Sequence, residues 1–228
     1  MREIEILPSL ICADLFNLDR DLKELENIGI KTLHVDILDG HFSPSLPIGL
    51  EMIQKIKENI KMDFDVHIMS TNNEWFINEV IKIGAKAICF HYETSLHVDR
   101  LMNLIKKAGM EVGIALNPAT SLSTLDYILE YCDNILLMLI NPGFAGDKNE
   151  KQVPYALKKV IDLRNLIDKN NYKTKIIVDG RVSMQTIEGL VKAGADKLVA
   201  GSTSLFLKSN SLAENKKQIE QIIKGINK

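Results

Sequence analysis

The stretch Ile135-Leu136-Leu137-Met138-Leu139-Ile140 carries six apolar side chains in a row without alternation. A strand with one wet face would alternate, so this one is expected to be covered on both faces, as strands of a parallel sheet are. Outward from it, similar runs occur near 3–11, from Ile30 onward, and near 62–67, 86–91, 111–116, 174–179 and 196–200. Helical spacing of apolar residues follows each: 17–28, 48–59, 73–83, 96–108, 121–131, 152–168, 183–193 and 211–224. The punctuation repeats as well. Gly29, Gly84, Gly109 and Gly194 each stand between an amphipathic segment and the next apolar run, where glycine ends a helix without steric cost.

Eight strand-helix units in strict alternation allow an open doubly wound sheet or a closed eightfold barrel. With 228 residues, no linker and no composition break, the sequence predicts one (β/α)8 barrel over 1–228, a single catalytic domain. Lys plus Arg number 28 and Asp plus Glu 30, so there is no basic footprint for nucleic acid and no polybasic membrane patch. Cys12, Cys89 and Cys132 are odd in number and widely spaced, which suits a reducing compartment. The charged start Met1-Arg2-Glu3-Ile4-Glu5 does not resemble a signal peptide, and no apolar run is long enough to span a bilayer. A cytoplasmic protein is expected.

In a (β/α)8 barrel the reactive face lies at the C-terminal ends of the strands. Ser9, His34, Asp36, His67, His91, Asn117, Asn141, Asp179 and Ser202 all fall there, whereas Lys31, Lys86, Lys175 and Lys197 fall at strand beginnings. That distribution argues against a Schiff-base lysine. The segment Thr32-Leu33-His34-Val35-Asp36-Ile37-Leu38 alternates, so His34 and Asp36 share one face. A buried imidazole and carboxylate need a compensating charge. With His67 and Asp179 they make two nitrogen and two oxygen ligands for one divalent metal, for which zinc, iron(II), manganese and cobalt all qualify.

A phosphate seat is expected beside it. Asn141-Pro142-Gly143-Phe144-Ala145-Gly146, Asp179-Gly180-Arg181 and Gly201-Ser202 place glycines where backbone N–H groups can approach an anion. Gly201 to Phe206 reads as the start of a short helix, and the loops after strands seven and eight are the usual phosphate site of such barrels. The connection from about 141 to 151 is long and is expected to act as a lid. Nucleotide-binding glycine motifs, a G-x-S-x-G elbow and an H-E-x-x-H motif are absent.

The blocks Leu7-Pro8-Ser9-Leu10, His34 to Phe42, Asp65-Val66-His67-Ile68-Met69, Asn141-Pro142-Gly143-Phe144, Val178-Asp179-Gly180 and Ala200-Gly201-Ser202 together resemble the ribulose-phosphate 3-epimerase family. The resemblance implies a TIM barrel that interconverts D-ribulose 5-phosphate and D-xylulose 5-phosphate in the pentose phosphate pathway. It implies one divalent metal per subunit on His34, Asp36, His67 and Asp179, with Asp36 and Asp179 as acid and base. Ser9 and His67 would contact the sugar, and Gly146, Gly180, Gly201 and Ser202 its phosphate end. A homo-oligomer is consistent with it. The chain departs from the family pattern at Arg181, where a glycine is usual, at Ala145 and Asp147, which replace a glycine and a glutamine, and at Leu38, where methionine is common. Leu38, Met69 and Met138 are then expected to wall the active site.

Epimerisation at C3 removes a proton next to the C2 carbonyl and returns one to the opposite face. Strands two and seven lie across a barrel mouth from one another, which suits two opposed carboxylates. The alternatives are a 3-epimerase of a hexulose 6-phosphate, a sugar-phosphate decarboxylase, and a non-catalytic sugar-phosphate binder. The decarboxylases carry a lysine at the position of Leu38.

Overall fold

In a computed structural model, which describes residues 2–144, 146–147 and 149–226, the eight strands form one parallel barrel. They are β1 (Glu5–Pro8), β2 (Thr32–Leu38), β3 (Asp63–Met69), β4 (Ala87–His91), β5 (Glu111–Leu116), β6 (Asn134–Met138), β7 (Lys175–Asp179) and β8 (Lys197–Ala200). Their order is β1-β8-β7-β6-β5-β4-β3-β2, and a parallel bridge between Ser9 and His34 joins the two ends. Among the described residues seven α-helices surround them: α1 (Leu18–Asn27), α2 (Leu50–Asn59), α3 (Asn73–Ile83), α4 (Val98–Lys107), α5 (Ala156–Lys169), α6 (Ile187–Ala193) and α7 (Leu212–Ile226). No helix among the described residues is long and apolar enough to cross a membrane.

Two expectations are corrected. The helix predicted over 121–131 is replaced by two 3-10 turns, Leu122–Leu125 and Leu129–Tyr131. Ser121 accepts from the Ser123 N–H and Thr124 donates to the Ser121 carbonyl, and such local side-chain bonds compete with helix. The short helix expected at Gly201 to Phe206 is a series of turns. There the Thr203 hydroxyl donates to the Val182 carbonyl. An anion at this place would meet turn backbone, without a helix dipole.

The barrel separates two cores. Leu33, Val35 and Ile37 of β2 face outward and join the large apolar layer beneath the helices. Inside, Leu7, Cys89, Ala115, Leu136, Met138, Ile177 and Val199 pack together from six of the strands. The interior face of β2 and β3 is polar instead, because the register pairs His34 with Asp65 and Asp36 with His67. All four side chains are almost wholly buried. Lys197 lies beneath them at the strand beginnings, with its ammonium 3.7 Å from Asp65 and 3.9 and 3.8 Å from Glu5 and Glu111. Lys197 thus stays at the end opposite the strand C-termini, whereas the Lys159 ammonium donates to the carbonyls of Asn117 and Pro118 just past the end of β5.

Candidate metal centre and active site

Strand alternation points His34 and Asp36 into the barrel, and the parallel register sets His67 beside Asp36. Asp179 closes the group from the end of β7. One ligand-type atom from each of His34, Asp36, His67 and Asp179 lies within 4.8 Å of all the others. Asp36 Oδ1 is 3.3 Å from His34 Nε2 and 3.2 Å from His67 Nδ1, and Asp179 Oδ2 is 3.7 Å from the latter. Ser9 donates its hydroxyl to Asp36 Oδ2 at 3.1 Å.

The group fits a cation. His34 Nδ1 pairs with Asp65 at 3.1 Å, while Nε2 is buried with no hydrogen-bond partner and faces the Asp36 carboxylate. Only a proton or a metal ion between them makes that contact favourable. Burial pulls His34 toward neutrality, yet the Asp36 and Asp65 carboxylates outweigh it and raise its pKa well above the ordinary value. Burial also opposes charge on Asp36, but His34 and His67 hold its pKa below the ordinary carboxylate value. Asp179 moves the other way, raised to about 6 by burial and by the Asp36 charge. The two neighbouring carboxylates are thus shifted in opposite directions.

A cavity of about 140 Å³ opens above this group. Ser9, Asp36 and Asp179 line its floor, and Leu38, Met69 and Met138 line its walls. Gly143, Gly146, Gly180, Gly201 and Ser202 contribute from the loops after strands six, seven and eight. His34 and His67 sit beneath, fully buried. Phe144 is placed differently from the expectation: its side chain is 42 % exposed and does not line the cavity. Ala145 lies outside the described residues. A larger cavity, about 540 Å³, opens at the opposite end among Glu3, Glu5, Lys31, Lys175 and Lys197. Its mixed charges and distance from the strand C-termini argue against it as the reaction site.

Two glycines are required by geometry. A Cβ on Gly180, at φ +109, would come 2.7 Å from the Ile140 side chain. One on Gly143, at φ +85, would come 2.0 Å from the Ser43 hydroxyl. Arg181 itself adopts φ +54, a left-handed conformation that glycine takes without strain. Its guanidinium donates to the carbonyls of Glu150 and Asp147, so its charge ties down the strand-six loop.

Several contributors had no distinct signal in the sequence. Asp65 reads as one more polar residue in β3, but it orients His34. Asp39 accepts from the backbone of His41, Phe42 and Thr71 and from the hydroxyls of Ser70 and Thr71, joining the loops after β2 and β3. Glu93 pairs with His91 at 3.0 Å. Burial pushes His91 down to about 4, against the pull of Glu93. Burial opposes charge on Glu93 too, but hydrogen bonds from His91 and Thr120 hold it down to about 2.

An eight-stranded parallel barrel with a His-Asp cluster at the C-terminal ends of its strands defines a (β/α)8-barrel enzyme architecture. A family model described as ribulose-phosphate 3 epimerase matches residues 5–206. The chain belongs to the ribulose-phosphate 3-epimerase family. Proteins named ribulose-phosphate 3-epimerase from Buchnera aphidicola and Methanocaldococcus jannaschii are 39% and 36% identical to it, covering 92% and 99% of this chain and 91% and 94% of theirs. One of the same name from Escherichia coli is 37% identical over 89% of each chain. Among solved structures, 3-hexulose-6-phosphate synthase from Salmonella typhimurium superposes with a TM-score of 0.71 at 16% identity, covering 98% of this chain and 100% of that one. At that identity the likeness speaks for the fold alone.

Proposed function

We propose that this chain epimerises D-ribulose 5-phosphate and D-xylulose 5-phosphate at C3, in the pentose phosphate pathway, with one divalent metal ion held by His34, Asp36, His67 and Asp179. The reading rests on one observation, the convergence of those four side chains within 4.8 Å at the floor of the cavity. When bound, the cation supplies Lewis-acid stabilisation of the negative charge that develops as the C3 proton leaves. The metal is zinc, iron(II), manganese or cobalt.

Asp36, ionised and oriented by the Ser9 hydroxyl, takes the proton from one face of C3. Asp179 delivers a proton to the other face. For the reverse reaction the roles exchange. Leu38, Met69 and Met138 keep water from the planar intermediate. Ser9 contacts the sugar, whereas His67, buried beneath the cavity with both ring nitrogens engaged, does not, and the turn backbone at Gly146, Gly180, Gly201 and Ser202 meets the phosphate. The strand-six loop, held by Arg181, covers the bound substrate. The whole chain acts as one catalytic domain, in the cytoplasm and as a homo-oligomer.

A coupled assay on D-ribulose 5-phosphate before and after chelation, with add-back of each metal, tests the proposal. Turnover lost on chelation and regained with metal, together with solvent deuterium at C3, is expected. Full activity in the chelated protein would sink the metal-assisted reading, and product without deuterium would sink the proton-transfer scheme.

A further inference from the structure

His67 reaches the four-residue cluster with one ring nitrogen only. Nδ1 lies 3.2 Å from Asp36 and 3.7 Å from Asp179, while Nε2 turns away and meets Nε2 of His91 at 3.0 Å. His91 is the last residue of β4 and is fully buried. Its other nitrogen, Nδ1, lies 3.0 Å from Glu93 Oε2. The second oxygen of Glu93 accepts from the Asn117 N–H at 2.7 Å and from the Thr120 hydroxyl. A carboxylate, two imidazoles and the cluster thus stand in one hydrogen-bonded line.

With both rings neutral, the protons in that line can be arranged in one way. An ionised carboxylate only accepts, so His91 carries its hydrogen on Nδ1. Its Nε2 is then a lone pair, and the 3.0 Å contact requires the hydrogen of His67 to sit on Nε2. What remains is a lone pair on His67 Nδ1, aimed at Asp36 and Asp179, where a cation shared with those carboxylates would make the contact favourable. Reversing any one hydrogen would set two donors or two lone pairs against each other inside a dry interior.

We propose that Glu93 and His91 are positioning residues that fix the tautomer of His67, so that Nδ1 is the ligating atom. The inference rests on the reading of the cluster as a metal site. Neither residue touches substrate or cation in this role. Asp65 does the same for His34 with the opposite outcome, because it takes the hydrogen of Nδ1 and leaves Nε2 to the cluster.

His91 also packs against Phe42, with ring centroids 4.5 Å apart, and Glu93 anchors the turn after β4, so a merely structural role must be separated. Glu93→Gln does so. The donors at Asn117 and Thr120 keep the amide oxygen on their side, which turns the amide NH₂ toward His91 Nδ1. The line then runs backwards and ends with a hydrogen on His67 Nδ1, where the cation belongs. The experiment combines nitrogen-15 NMR of the histidine rings at pH 8.5, in metal-free protein, with Co(II) affinity from competition against a chelator.

Wild-type protein is expected to show His67 protonated at Nε2 and bare at Nδ1, and Glu93→Gln the reverse. The variant should bind Co(II) about 10- to 100-fold more weakly, with an unchanged fold by circular dichroism. Wild-type His67 carrying a proton on Nδ1, alone or together with Nε2, overturns the proposal, as does a folded Glu93→Gln with wild-type Co(II) affinity. Should that variant not fold, the wild-type spectrum alone decides. A wild-type protein that takes up no Co(II) defeats the metal reading instead, and the spectrum still decides the tautomer.

Discussion

His34 Nδ1 lies 3.1 Å from Asp65 Oδ1 across the β2–β3 register, and on the other side of that carboxylate the Lys197 ammonium is 3.7 Å away. One buried carboxylate therefore orients a cluster residue and offsets a buried cation. Asp65→Asn should lower metal affinity by about 10- to 100-fold. Its cost in stability should fall short of the about 3–5 kcal/mol of a broken buried pair, because Glu5 and Glu111 still face Lys197. Isothermal titration with Co(II) and urea denaturation measure the two effects separately. Wild-type affinity in the variant would remove Asp65 from the site.

Asp36→Asn and Asp179→Asn each keep the shape of the side chain and remove its ability to exchange a proton. Each should reduce kcat by at least about a hundredfold to ten-thousandfold, the usual range for general acid–base groups, with the fold intact. Solvent-deuterium wash-in distinguishes them further. A variant blocked at one face is expected to lose inversion, and near-normal turnover in either would exclude the two-base scheme.

Metal uptake should rise steeply with pH. The Asp179 pKa is raised to about 6, so the protonated acid favours the folded chain. That contribution is fully present below the ordinary carboxylate value and is lost as pH rises through about 6. Above that pH two carboxylates face each other, and a cation relieves them. The raised pKa of His34 acts in the same direction, since its proton competes with the metal. The shift of Tm on adding zinc should be small at pH 5 and large at pH 7.5. Equal shifts at both pH values would contradict this account.

Arg181 trades backbone comfort for a clasp. Arg181→Gly should relieve about 1 kcal/mol of left-handed strain while releasing the carbonyls of Asp147 and Glu150. The expected result is faster cleavage of the 141–151 loop by a protease and a raised KM, with Tm little changed. Unaltered proteolysis, with and without the sugar phosphate, would mean that the loop is held by other contacts.

Much of this molecule is legible in the chain itself. The unbroken apolar run at 135–140, the glycines that follow four of the helices and the count of strand-helix units point to a parallel barrel, because burial on both strand faces leaves a continuous apolar run in local sequence. The alternation at His34 and Asp36 likewise fixes that both point inward. The helices expected over 121–131 and at 201–206 do not form: Thr124 bonds to the nearby Ser121 carbonyl in the first, and Thr203 is drawn to the Val182 carbonyl of the preceding loop in the second. Only the closed barrel decided which polar groups meet. Asp65 serves His34, Glu93 and His91 line up behind His67, and Arg181 turns to the strand-six loop, all through contacts between residues distant in sequence or through directions that spacing does not encode. Sequence spacing specifies the face on which a side chain stands; its hydrogen-bond partner is set by register and closure, which exist only once the strands have paired.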